Sequence, residues 1–130
     1  MRSFLAAIVL SLAMGPQAAQ AQNLIAAYFA HLSPVDFQNS RGVRLSDFGA
    51  ILQQDRANFH RFGRADPLDE WDPVFADPGH RAQIPRIWRS GPGSEYIPDW
   101  VASGNTRYVY VEIYGFGGVP SFIVVHEGAG

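Results

Sequence analysis

Residues 106–127 read TRYVYVEIYGFGGVPSFIVVHE, two runs rich in Val, Ile, Tyr and Phe around the cluster Gly115-Phe116-Gly117-Gly118. No other stretch narrows the folding choices of this chain so far. Alternating side chains around a glycine turn predict a β-hairpin. In the first arm Val109, Val111 and Ile113 share one face, while Tyr108, Tyr110, Glu112 and Tyr114 share the other. In the second arm Ser121, Ile123 and Val125 alternate with Phe122, Val124 and His126. A three-residue loop, Phe116 to Gly118, would set Val111 against Ile123 and Val109 against Val125, keeping one face apolar with a glycine free for positive φ.

The rest of the chain supplies elements to cover that face. Residues 24–32 alternate Leu24, Ala26, Tyr28, Ala30 and Leu32 against Ile25, Ala27, Phe29 and His31, which predicts a strand beside the hairpin, stopped by Ser33-Pro34. Asn39 to Gly42 reads as a tight turn. The clearest helix is expected from Asp47 to Phe62, with Ser46 as N-cap and Gly63 at the C′ position. Phe48, Ile51, Leu52, Phe59 and Phe62 fall on one helical stripe, and Asp55 falls on it too. Residues 63–79 form an acidic connection with three Asp-Pro steps, which push the preceding residues away from helix. A helix over 78–88, capped by Asp77 and interrupted at Pro85, and one or two turns over 94–102 complete the order. The expected fold class is α+β: a small, mostly antiparallel sheet ending in the hairpin, with one main amphipathic helix and short helices on one face.

The N-terminus predicts where such a domain works. Arg2, an apolar run from Phe4 to Met14 and an Ala19-x-Ala21 site read as a signal peptide over residues 1–21, cut before Gln22. The apolar run is too short to span a membrane, which takes about 20 residues. Cutting 21 of the 130 residues leaves 109, so residues 22–130 form a single domain. The chain has no cysteine and no Asn-x-Ser/Thr acceptor, a combination that with the leader suits a bacterial periplasmic or secreted protein. All ten basic residues are arginine; without Arg2, nine face twelve acids, a balance that argues against nucleic acid as partner.

Candidate chemistry is thin. His60, Asp66, Asp69, Glu70, Asp72, Asp77 and His80 cluster in sequence, but without EF-hand or His-x-x-x-His spacing, so no metal and no cofactor is expected. The absent cysteines exclude a thiol nucleophile, and Ser90, Ser94, Ser103 and Ser121 sit in no Gly-x-Ser-x-Gly elbow. The glycines at 115–118 precede a strand, whereas a phosphate-binding loop precedes a helix. Asp55 reads first as half of a structural ion pair, with Arg44, Arg56 or Arg81 as its partner; the alternative function is a small hydrolase, with or without a metal, using Asp55, His60 and the acids of 66–77. The leading expectation is a non-catalytic binding protein. Its contact surface would be Tyr108, Tyr110, Glu112, Tyr114 and His126, and its partner an envelope or extracellular protein or a glycan. The competing use of that face is a second small core, closed by loops bearing Trp71, Trp88 and Trp100.

Overall fold

The structure is a computed structural model that describes residues 22–128. The expected leader, residues 1–21, lies outside the described residues, as do the last two of the domain. Strand β1 (Asn23–Leu32) leads into a 3₁₀ turn at Pro34–Asp36 and then helix α1 (Phe48–Ala57). Short helices α2 (Pro78–Arg81) and α3 (Ile84–Ile87) precede strand β2 (Trp88–Ser90); α4 (Ile97–Ala102) precedes strands β3 (Arg107–Phe116) and β4 (Val119–Glu127). The sheet order is β1-β3-β4-β2. The architecture is therefore α+β, with β1, β3 and β4 antiparallel and β2 running parallel to β4.

The hairpin forms, but its turn differs from the expected three-residue loop. Phe116 pairs with Val119, so Gly117 and Gly118 alone make the turn, at φ 58° and 78°. Positive φ at both central residues is the turn whose twist matches that of the flanking strands. Ser121 is then left over as a bulge, because Tyr114 faces Phe122 while Gly115 faces Pro120. Gly115 has to be a glycine here: the Val119 carbonyl occupies the space of a Cβ. The bulge shifts the pairing to Val111 with Val125 and Ile113 with Ile123, two residues from the expected register, and so keeps the alternation of faces.

One face of the sheet is sealed. Val109, Val111, Ile113, Ile123 and Val125 meet Tyr28, Ala30 and Leu32 of β1, and all are buried. Over them lie Phe48, Ile51 and Leu52 of α1, with Phe75, Ile84, Ile97 and Val101 from the shorter segments. Asp47, not Ser46, caps α1: its carboxylate accepts from the Ala50 N–H at 3.0 Å. The helix closes at Gly63, left-handed at φ 62°, through a π-helical turn over Asn58–Phe62. Asp55 and Arg56, four residues after Ile51 and Leu52, lie on the buried stripe of the regular helix. The wider turn shifts the stripe after them, so Asn58 is buried while Phe59 and Phe62 end half-buried. Pro85 splits the expected 78–88 helix into α2 and α3, and Asp77 caps the first piece by accepting from His80 N–H at 3.0 Å.

Candidate functional site

The second face of the sheet carries Phe29 from β1, Tyr108, Tyr110, Glu112 and Tyr114 from β3, and Phe122, Val124 and His126 from β4. Every one of these is half-buried, in contrast to the buried residues that alternate with them. The rings stand against one another. Phe29 stacks on Tyr108 at 5.3 Å and lies 4.8 Å from Tyr110; Tyr114 stacks on Phe122 at 4.9 Å. Tyr110 is followed across the sheet by His126, 6.1 Å away, and the Arg89 guanidinium sits 4.2 Å over Phe122. These cross-strand aromatic pairs stabilise the sheet and hold the rings at fixed spacing.

Glu112 lies between the two aromatic rows, opposite Ala27 on one side and Val124 on the other, both small. Its carboxylate accepts from the Tyr114 hydroxyl at 3.1 Å and is in contact with the His126 imidazole through Nε2. The bond to Glu112 raises the Tyr114 pKa above that of a free phenol, because ionisation would set two anions side by side. The five residues expected at a contact surface are thus on one face, and Glu112, Tyr114 and His126 are joined by hydrogen bonds. The tryptophan loops do not close over them as a second core. Trp71 and Trp100 remain 61% and 47% exposed, and Trp88 packs edge-on to Phe48 in the helical layer.

The acids of 66–77 take structural posts. Asp69 Oδ1 accepts from His31 N–H and Glu70 Oε1 from Phe29 N–H, each at 2.8 Å, while Glu70 N–H donates back to the Phe29 carbonyl. The connection thereby covers the outer edge of β1, which would otherwise offer unpaired groups to another strand. Asp66 ties the loop down by accepting from Ser33 Oγ at 2.7 Å. Glu70→Ala is expected to lower stability by about 1 kcal/mol, the loss of one exposed bond to a carboxylate, checked by urea unfolding.

Asp55 and His60 do not meet. Arg56 stands between their partners, fully buried, its Nε 2.8 Å from Asp55 and its NH1 3.0 Å from Asp72. His60 reaches the same Asp72 oxygen at 2.9 Å, and the second Asp72 oxygen accepts from Phe75 N–H at 2.5 Å. The guanidinium lies 3.9 Å over the Tyr28 ring. Burial raises the Asp55 carboxyl well above the usual range, against the pull of Arg56. Nearby, buried Asp36 accepts from Ser33 N–H and Asn58 Nδ2, and burial pushes it up to about 7. This network presents no group to a substrate: Asp55, Arg56 and Asp72 are 1%, 0% and 0% exposed. Among the described residues, no three His, Asp or Glu side chains converge as metal ligands.

A cavity of about 400 Å³ lies beside Pro34, Phe37, Gln38, Gly42, Arg44 and Gly104. Its one charged group, Arg44, already donates to the carbonyls of Phe37, Leu45 and Ala102. Sequence reasoning missed Arg89 and Phe29 as members of the aromatic face. Phe29 carried a signal in its alternation along 24–32; Arg89 carried none, lying in a three-residue strand. Scanned against family models, and searched against curated proteins and solved structures, the chain matches none, so its function is argued from this geometry.

Proposed function

We propose that this is a small exported binding protein, non-catalytic, whose contact surface is the open aromatic face of its sheet. The observation that carries the reading is the contrast between the two faces: one is sealed under helices, the other keeps an ordered set of half-buried rings around a carboxylate. Aromatic groups with polar handles are the residue types that dominate binding energetics at protein surfaces. The export half of the proposal rests on the leader sequence, Arg2 through Ala21. Among the described residues, no helix is long and apolar enough to cross a membrane.

Of the two partner classes, a protein fits the ring geometry better than a glycan. Sugars stack on free ring faces, and here Phe122 is held between Tyr114 and Arg89, and Phe29 against two tyrosines. Rings stacked in this way offer fewer free faces to a sugar and suit packing against another side-chain surface. Nothing in the Asp55, His60 and 66–77 arrangement favours hydrolysis, since those groups are committed to one another and to the edge of β1.

The test is capture of partners from an envelope extract by the purified protein, followed by affinity measurement on the recovered partner. Tyr110→Ala is expected to weaken binding by about 2 kcal/mol, roughly 30-fold in Kd, while Trp71→Ala on the loop leaves it unchanged. Equal binding by the wild type and Tyr110→Ala would remove the face from the mechanism.

A further inference from the structure

We infer that the partner on this face is a second copy of the same chain, packed sheet against sheet about a two-fold axis that runs along β4. The inference rests on the proposal that the aromatic face is the contact surface, and it adds the occupant.

The register supplies the argument. Val124 of β4 is flanked in the same row by Glu112 on β3 and by Arg89 on β2. The three side chains share the aromatic face, and Arg89 is exposed, with its guanidinium over one of the rings. A two-fold rotation about an axis lying over β4 exchanges the two sides of that strand. It brings Glu112 of each copy over Arg89 of the other, and Arg89 over Glu112, with Val124 against Val124. The dimer thus holds two carboxylate–guanidinium pairs, one from each copy's Glu112, which is the self-complementary pattern of an isologous interface. In the neighbouring row Tyr110 stands on the β3 side of His126, and on the β2 side lies Gly91, where the imidazole occupies the space of a missing Cβ. The same rotation sets Tyr110 of one copy against that imidazole of the other.

The backbone overlap is small. β4 offers nine residues and β2 three, so at about 3.3 Å per residue and about 4.8 Å between strands it amounts to roughly 240 Å² per copy before side-chain relief. That is the size of a weak, transient contact, so a dimer that forms only at the upper end of the concentration range is expected. Two such faces pack about 10 Å apart with their strands close to parallel, inside the aligned class of sheet packing.

Sedimentation velocity of the purified protein, from sub-micromolar to about 200 μM, tests the pairing. The wild type is expected to pass from monomer to dimer. Arg89→Glu and Glu112→Arg are each expected to weaken the dimer tenfold or more, and the double variant carrying both exchanges to regain it. Arg89 is exposed, so Arg89→Glu leaves the fold intact, which circular dichroism confirms. A wild type that stays monomeric throughout, or a dimer indifferent to the single exchanges, overturns the inference and leaves the face to a different protein or a glycan. The Tyr110→Ala capture experiment then decides the binding proposal separately.

Discussion

Arg56→Ala is expected to destabilise the fold by about 3–5 kcal/mol, the cost of leaving a buried charge without its partner. Arg56 is entirely buried and serves four groups at once: the Asp55 and Asp72 carboxylates, the Glu70 carbonyl and the face of the Tyr28 ring. Removing it strands two carboxylates, each nearly without contact with water, and opens a void beneath Tyr28. A domain of this size has only about 5–15 kcal/mol of stability to lose. Arg56→Met keeps much of the volume and isolates the electrostatic part, so it should recover the packing loss alone. Urea unfolding followed by tyrosine and tryptophan fluorescence measures both. A change below about 1 kcal/mol for Arg56→Ala would mean that the network is solvated rather than sealed.

Stability is expected to fall as pH rises from about 4 to 7, the reverse of the usual behaviour for carboxylates held in ion pairs. The cause is Asp36, buried beneath the 3₁₀ turn with no cation bonded to it. Desolvation raises its pKa from 3.8 to about 7; the bonds from Asn58 and Ser33 oppose the shift, and Asp69 and Asp66 add to it. A raised folded-state pKa means that the native state binds the proton more tightly than the unfolded chain. The contribution is therefore complete below the unfolded value, declines between the two values, and is gone above the folded one. At about 1.4 kcal/mol per pH unit, the window is worth on the order of 4 kcal/mol. Asp55 and Asp69, also raised by burial, act in the same direction. Urea midpoints at pH 5 and pH 8 read the effect, and Asp36→Asn should remove a part of the difference, the remainder staying with Asp55 and Asp69. A wild-type midpoint that rises over this interval would contradict the assignment.

What the sequence revealed is what depends on near neighbours. The alternation along 108–114 and 122–126 sorted both arms of the hairpin onto the correct faces, and the same period sorted β1. Asp77 with Pro78, and Gly63 after Phe62, marked helix ends because capping is a local transaction between a side chain and the next turn. The register was not legible to the residue. The expected loop placed Glu112 across from Phe122, whereas the bulge at Ser121 places it across from Val124, near enough to His126 to bond. A bulge depends on how closely two backbones approach at Gly115, and no period in the sequence records that.

Long-range contacts were hidden for a related reason. The acids of 66–72 looked like turn and solvated-loop residues, and several do stabilise turns, but Asp69 and Glu70 also accept from N–H groups of β1 some 40 positions earlier, and Asp72 holds Arg56. Asp55 was recognised as anomalous on an apolar stripe; Arg56 lies four residues after Leu52 on the same buried side, but its partners Asp72 and the Glu70 carbonyl are brought there by a distant loop. The candidate site was legible as a set of five residues, and Arg89, supplied by the brief parallel strand β2, was not.

The central claim is that the sheet has one sealed face and one open, ring-bearing face. Hydroxyl-radical footprinting read by mass spectrometry, at a concentration low enough to keep copies apart, addresses it residue by residue. Tyr110, Tyr114 and Phe122 are expected to oxidise several-fold faster than Tyr28, Phe48 and Phe75, which are 1%, 3% and 0% exposed. Equal protection of the two sets would contradict the account, since it would place the tyrosine face inside a second core.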